Sequence, residues 1–400
     1  MFTKIIGFLK RRYLHKYLLN IDQKRNFQHK NKNPYYDPNF ETSIHGSNPS
    51  GKIGGRNLVT MVKGVGIGPE LMLILKDVFA CVNAPVMFEE LDIDEEDPEM
   101  AEADMENLAL SIRRNGVAVK GNLEKDQKSL IISKNISLNL KLDLFAHLID
   151  FRSYPGVKHK KSTDREINVS IVRQNTEGAF AMVEHEIGKK AVEHLNLTTR
   201  FNTERLARFA FKHATQHCKE RVVVVFNKGY HEEAEGLFLS SCQTVAEEYP
   251  DIKFKSQSIG SFLRTIMVED YRDNVILASS VGGQMISSVL CGFIGCSALV
   301  CSCIYGEKYA VFEPAARQRG MKLVGQNTVN PAGILLTGAS LLRHLGHDEH
   351  ATALQEAVDE TINCDQVLTR DIGGTASTCD MVDTVKKHLK TRVAMGMCEE

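Results

Sequence analysis

From about residue 56 onward, short apolar runs alternate with longer stretches in which apolar residues recur at helical spacing. Leu58–Val62 predicts a strand, the glycine turn Gly64-Val65-Gly66-Ile67-Gly68 follows, and Pro69 suits the first turn of a helix. Leu71, Ile74, Leu75, Val78 and Val82 make one apolar stripe along that helix. Ile167–Val172, Val222–Phe226 and Val275–Ala278 are further strand candidates. Between the first two, a helix opens near Asn202-Thr203 and places Leu206, Phe209, Ala210 and Ala214 on one face. The alternation indicates an α/β fold, a parallel or mixed sheet covered by helices.

Composition permits a large core, with 43% hydrophobic residues in a chain of 400. The net charge of −1 conceals an asymmetry. Residues 1–34 hold nine Lys or Arg against the single acid Asp22, which leaves 40 basic and 49 acidic residues elsewhere. An acidic body argues against a nucleic-acid partner. In the basic leader, Ile5, Phe8, Leu9, Leu14 and Leu18 stand among the charges, the pattern of a mitochondrial presequence. Residues 1–34 are therefore expected to be a presequence and linker, with the mitochondrial matrix as destination. The IIGFL run is shorter than a secretory core, and no run of eighteen apolar residues predicts a membrane span.

Three clusters invite a metal reading and fail its spacing rules. Cys291, Cys296, Cys301 and Cys303 lie five, five and two apart without a nearby histidine, so they read as buried thiols packing as small hydrophobes. The acidic run at 89–106 lacks the glycine turn of a calcium loop and reads as a solvated loop or helix face. His344, His347 and His350 are interrupted by Gly346 and read as a helix end.

The densest chemistry lies in IVRQNTEGAF, residues 171–180. With LVTMVKGVGIGPELML (58–73), SIRRNGVAVKGN (111–122), LDLFAHLIDFRSYPGV (142–157), VNPAGILL (329–336) and LTRDIGG (368–374), it resembles the β-decarboxylating isocitrate/isopropylmalate dehydrogenases. Within that family it looks like the regulatory, gamma-type subunits of mitochondrial NAD-dependent isocitrate dehydrogenase. The resemblance implies a two-lobed fold. A large α/β lobe would hold 56–146 and 285–392, and a small lobe 147–284. An arm at about 178–220 would clasp a neighbouring subunit.

The resemblance also implies where catalytic groups should stand. Catalytic members use a lysine and a tyrosine for proton transfer and three aspartates for a divalent metal, which acts as a Lewis acid. Here Phe180 takes the tyrosine's place, Asn227 the lysine's (with Lys228 adjacent), and Gly260, Gln284 and Ser288 those of the aspartates. A phenyl ring has no proton to give, and a glycine, an amide and a hydroxyl carry no charge for a hard cation. Of the substrate arginines, Arg173 remains while Asn139 and Ile149 replace two others. Val65 replaces the acid of the usual glycine turn, and FEPAARQRGMK (312–322) lacks the His-Gly-Thr turn that touches NAD. Asn330 and Asp371 match positions near adenine and ribose in relatives.

These substitutions imply a non-catalytic regulatory or structural subunit that pairs with a catalytic isocitrate dehydrogenase subunit. NAD or another adenine nucleotide is then the expected small ligand in preference to citrate, and Mg or Mn would enter only through the partner. Two alternatives stay open: a diverged paralogue outside the complex that binds nucleotide or protein, and a dehydrogenase active only within a complex.

Overall fold

The computed structural model describes residues 51–394 except 93–97, 124–132, 158–165, 228, 230, 267, 270, 273 and 316–318. The leader expected over residues 1–34, and Lys228, lie outside the described residues. One sheet of eleven strands runs through the molecule. At one end β1 (Lys52–Ile53) is antiparallel to β2 (Arg56–Val62), which β3 (Val86–Leu91) and β4 (Val117–Lys120) flank in parallel. β13 (Ala310–Pro314) runs parallel to β4, and then β12 (Cys301–Tyr305), β5 (Ala146–Arg152) and β6 (Asn168–Gln174) pair antiparallel in turn. β11 (Asn274–Ala278), β9 (Arg221–Phe226) and β10 (Lys253–Ser258) complete the sheet parallel to β6. β7 (Gly178–Ile187) and β8 (Ala191–Leu197) form a separate antiparallel pair.

The helices follow from the same patterning. α1 (Gly68–Cys81) opens with Pro69 as expected. It buries Met72, Leu75, Val78, Phe79 and Val82, while Leu71 and Ile74 are half-buried. The buried stripe is thus rotated by part of a turn, because Phe79 packs against Phe88 of β3. α2 (Pro98–Asn115) and α3 (Lys134–Lys141) follow. α4 (Arg200–Gln216) buries Leu206, Phe209, Ala210 and Ala214 as expected, but begins earlier than Asn202. Its cap is Thr199, whose Oγ1 accepts from the Asn202 N–H at 3.2 Å. Beyond it lie α5 (Glu232–Ala246), α6 (Ile259–Thr265) and α7 (Ser280–Ile294). The lobe boundary expected between residues 284 and 285 falls inside α7. Of the expected arm, residues 178–197 form the β7–β8 pair, and α4 packs against α5.

α8 (Ala332–His344) is apolar nearly all round and is correspondingly buried on almost every side. It lies on β12 and β13, with α1 and α9 (Asp348–Asn363) also against it, and α10 (Thr378–Ala394) packs on α9 and α1. The histidines at the α8–α9 junction play the expected structural part: Gly346 turns at φ +82°, and His347 Nε2 is bonded at 2.9 Å to Asn57 Oδ1. Among the described residues, no helix is long and apolar enough to cross a membrane.

The acidic run is not wholly solvated. Glu89, at its start on β3, accepts from Ser111 Oγ at 2.8 Å, from Asn115 Nδ2 at 2.6 Å and from Arg114. These bonds tie β3 to α2. The Arg114 hydrogen bond is the largest influence on the Glu89 carboxyl, which is lowered to about 2. A depressed carboxyl contributes stability that is present above its unfolded value and lost as pH falls through the folded one. We expect Glu89→Gln to remove about 1–3 kcal/mol of stability at pH 7 and to flatten the loss between about pH 5 and pH 2, measured by urea unfolding.

Candidate functional site

β6 ends in the frame that carries most of the sequence motif, and the structure gives Arg173, Asn175 and Glu177 each a task. Arg173 is buried, with Nη2 2.6 Å from Nδ1 of His147, its register partner on β5. Its guanidinium lies 5.1 Å from the centroid of the Phe180 ring, a cation–π contact that needs no hydroxyl. Asn175 donates through Nδ2 to the Leu144 carbonyl at 3.0 Å. Glu177 is buried and accepts from the Thr199 N–H at 3.1 Å, from Thr199 Oγ1 at 2.7 Å and from Asn202 Nδ2. The carboxylate of the motif therefore builds the start of α4. Gly283 lets α7 lie directly on β6, since a Cβ there would stand 2.5 Å from the Arg173 Cβ.

Beside this frame is a cavity of about 390 Å³, walled by Gln174, Gly178, Asn227, Glu235, Ser280 and the β8 residue Asn196. Asn227 follows β9, and its backbone N–H donates to Glu235 Oε2 at 2.8 Å. Burial raises the Glu235 carboxyl above the ordinary range, opposed by that backbone bond. The first turns of α6 and α7 reach the same cavity through Ile259 and Gly282. Gly260 is exposed, a Cβ there coming no nearer than 3.9 Å to Arg264 Nη1, and Gln284 and Ser288 are exposed, one turn apart. Ser288 Oγ donates to the Gln284 backbone carbonyl at 3.0 Å. These side chains do not fit a divalent cation, because they offer no carboxylate. Among the described residues, no three His, Cys, Asp or Glu side chains converge on a metal site.

Asn139, the other expected pocket residue, and Ile149 are both buried. Ile149 is in the main apolar core on β5, opposite Ile171. Asn139 is buried on α3; its carbonyl accepts from the Leu144 N–H, and its side-chain oxygen has no hydrogen-bond partner.

The nucleotide candidates do meet. Asn330 Nδ2 donates to Asp371 Oδ2 at 3.0 Å, while Asn330 Oδ1 accepts from the Ala332 N–H that opens α8. Thr369 Oγ1 donates to the other Asp371 oxygen at 2.5 Å. Both residues line a cavity of about 360 Å³ together with Val65, Gly68, Cys296 and Glu313. Cys296 departs from the expectation of an inert buried thiol: its Sγ lies 3.0 Å from Asp371 Oδ2 as donor. Burial first, and then Asp371, pushes this thiol up to about 12, so it stays protonated. The turn before α1 is closed by the chain itself, since Ile67 N–H donates to the Arg319 carbonyl at 2.9 Å. Gly66 is required there, because a Cβ would stand 1.9 Å from that carbonyl oxygen.

Sequence reasoning missed the floor of this cavity. Lys120 and Glu313 form an ion pair with almost no exposure, and Lys120 Nζ also donates to Asn135 Oδ1 at 2.7 Å. The signal was a lysine ending an apolar strand and a glutamate ending another; only the pairing of β4 with β13 joins them.

Residues 58–385 match the isocitrate/isopropylmalate dehydrogenase family. This chain belongs to that family. It is similar to the gamma 1 subunit of mitochondrial NAD isocitrate dehydrogenase from Rattus norvegicus, with 36% identity over 346 residues, 86% of each chain. To the beta subunit from Bos taurus the identity is 34% over 340 residues, 84% of this chain and 88% of the relative. Isocitrate dehydrogenase from Methylococcus capsulatus superposes with a TM-score of 0.76 and 25% identity, covering 84% of this chain and 99% of the other. A protein from Thermus thermophilus gives a TM-score of 0.78 and 26% identity, covering 88% of this chain and 73% of the other.

In this family member the buried pair generates a stability prediction. Lys120→Met leaves Glu313 buried without its cation and should cost about 3–5 kcal/mol. The double variant Lys120→Met/Glu313→Leu should regain most of that loss in the same denaturant titration.

Proposed function

We propose that this chain is a non-catalytic regulatory or structural subunit of a mitochondrial NAD-dependent isocitrate dehydrogenase and works beside a catalytic subunit in the matrix. One observation carries the reading. The family frame is kept where it builds structure, at Arg173, Asn175 and Glu177, while Phe180, Asn227, Gly260, Gln284 and Ser288 supply neither proton nor metal charge. Mg or Mn then belongs to the catalytic partner. Similarity to gamma and beta subunits supports the same assignment.

The cavity around Asn330 and Asp371 is the place for NAD or another adenine nucleotide. Its volume suits a nucleoside-sized group, and the Asp371 carboxylate is an acceptor for ribose hydroxyls. The Arg319 carbonyl already holds the Ile67 amide, so phosphate binding at that turn would compete with the chain's own loop.

The isolated chain should show no isocitrate-dependent reduction of NAD with magnesium or manganese. Restoring Gln284→Asp and Ser288→Asp together should not create it, because both proton transfers remain unserved. Metal-dependent turnover by the wild-type chain alone would overturn the proposal. Co-expressed with a catalytic subunit, the chain should copurify and shift that subunit's isocitrate affinity by about 5–150-fold, equivalent to about 1–3 kcal/mol. Asp371→Ala should weaken ADP binding by calorimetry about tenfold or more.

A further inference from the structure

A third cavity, of about 320 Å³, lies over β12, β5 and β6 on the face opposite Arg173. Strand alternation puts it there. His147 and Arg173 are register partners on one face; Asp150 pairs with Ser170 on one side and with Cys301 on the other, and these point to the opposite face. α4 and α8 form the walls, contributing His213 and Arg343.

Four charged side chains line this space: Arg152, paired with Asp359 at 2.7 Å, Lys219, which donates to Asn168 Oδ1 at 3.1 Å, and Asp150 and Arg343, which do not meet each other. The half-buried Asp150 carboxylate accepts from Ser170 Oγ at 2.6 Å. Ser170 gives its proton to Asp150 and so accepts from the buried His213 Nε2 at 3.2 Å. Half-buried Arg343 donates through Nη2 to the neutral amide oxygen of Gln355 at 3.1 Å. Neither Asp150 nor Arg343 has an oppositely charged side chain within salt-bridge distance among the described residues. Both act on the Cys301 thiol, which burial raises first, Asp150 raising it further and Arg343 lowering it. Half-buried charges that share one cavity and lack counter-charges call for a ligand that brings both. The remaining wall mixes the apolar Leu148, Leu299 and Leu336 with the polar Tyr154, His217 and His344.

We infer that this cavity binds a small zwitterion, a molecule with a carboxylate for Arg343, an ammonium for Asp150 and a short apolar spacer between them. The site is separate from the cavity at Asn227 and from the one at Asp371, and it does not depend on whether the chain is a regulatory subunit.

The test is calorimetry and thermal shift on the full chain with the ω-amino acids from glycine to 6-aminohexanoate, each compared with the amine and the carboxylate of matching length. One spacing should bind at least about tenfold more tightly than its singly charged analogues. Asp150→Asn and Arg343→Gln should each weaken that ligand about tenfold or more. Ser340→Leu, which fills the space beside Cys301 and removes neither charge, should do the same while the melting profile stays cooperative. If no member of the series outbinds its singly charged analogues, or if the three variants bind like wild type, the site does not exist.

Discussion

The antiparallel pairing of β5 with β6 is the constraint on which the rest of the structure depends. Seven residue pairs fix its register, from Ala146 against Gln174 to Arg152 against Asn168. A slip of one residue would exchange the two faces of β6. Arg173 would then leave His147, Phe180 and the α7 contact at Gly283, and Ser170 would leave Asp150 and His213. The same pairing joins the two parallel halves of the sheet, β2, β3, β4 and β13 on one side and β11, β9 and β10 on the other. Register is secured by burial on both faces, since Ile149, Ile171, Leu148 and Val172 are all core residues.

That geometry explains what the motif residues do for the fold. Glu177 caps α4, Asn175 closes the turn onto Leu144, and Arg173 sits buried against an imidazole and a phenyl ring. Removing any of these leaves a buried partner unsatisfied or a helix uncapped, losses of about 1–3 kcal/mol each. Positions such as Gly260, Gln284 and Ser288 face solvent and bear no comparable packing. Substitution there costs the fold little.

The cavity at Asp371 is held differently. Asp371 is fixed by three donors, from Asn330, Thr369 and Cys296. Beneath it the Lys120–Glu313 pair joins β4 to β13 with almost no exposure, and Asn135 binds the same ammonium. A buried pair of this kind adds little net stability over an apolar packing, yet it penalises any arrangement in which the two strands part. It therefore fixes the floor of the cavity.

Much of this was legible in the chain. The alternation of apolar runs and helical stripes determined the α/β class, because strand and helix periods differ and each must bury its apolar face. The residue types at 180, 227, 260, 284 and 288 were plain from the chain alone, since no fold can give phenylalanine a hydroxyl or glycine a carboxylate. Asn330 and Asp371 were recognisable from their local blocks. Tertiary structure alone decided that they bond each other, that Cys296 belongs with them, and that Glu89 is held rather than solvated. It also decided that Asp150 and Arg343 share one cavity. These contacts join residues far apart in sequence, and their geometry depends on strand order and register, which local patterning does not encode.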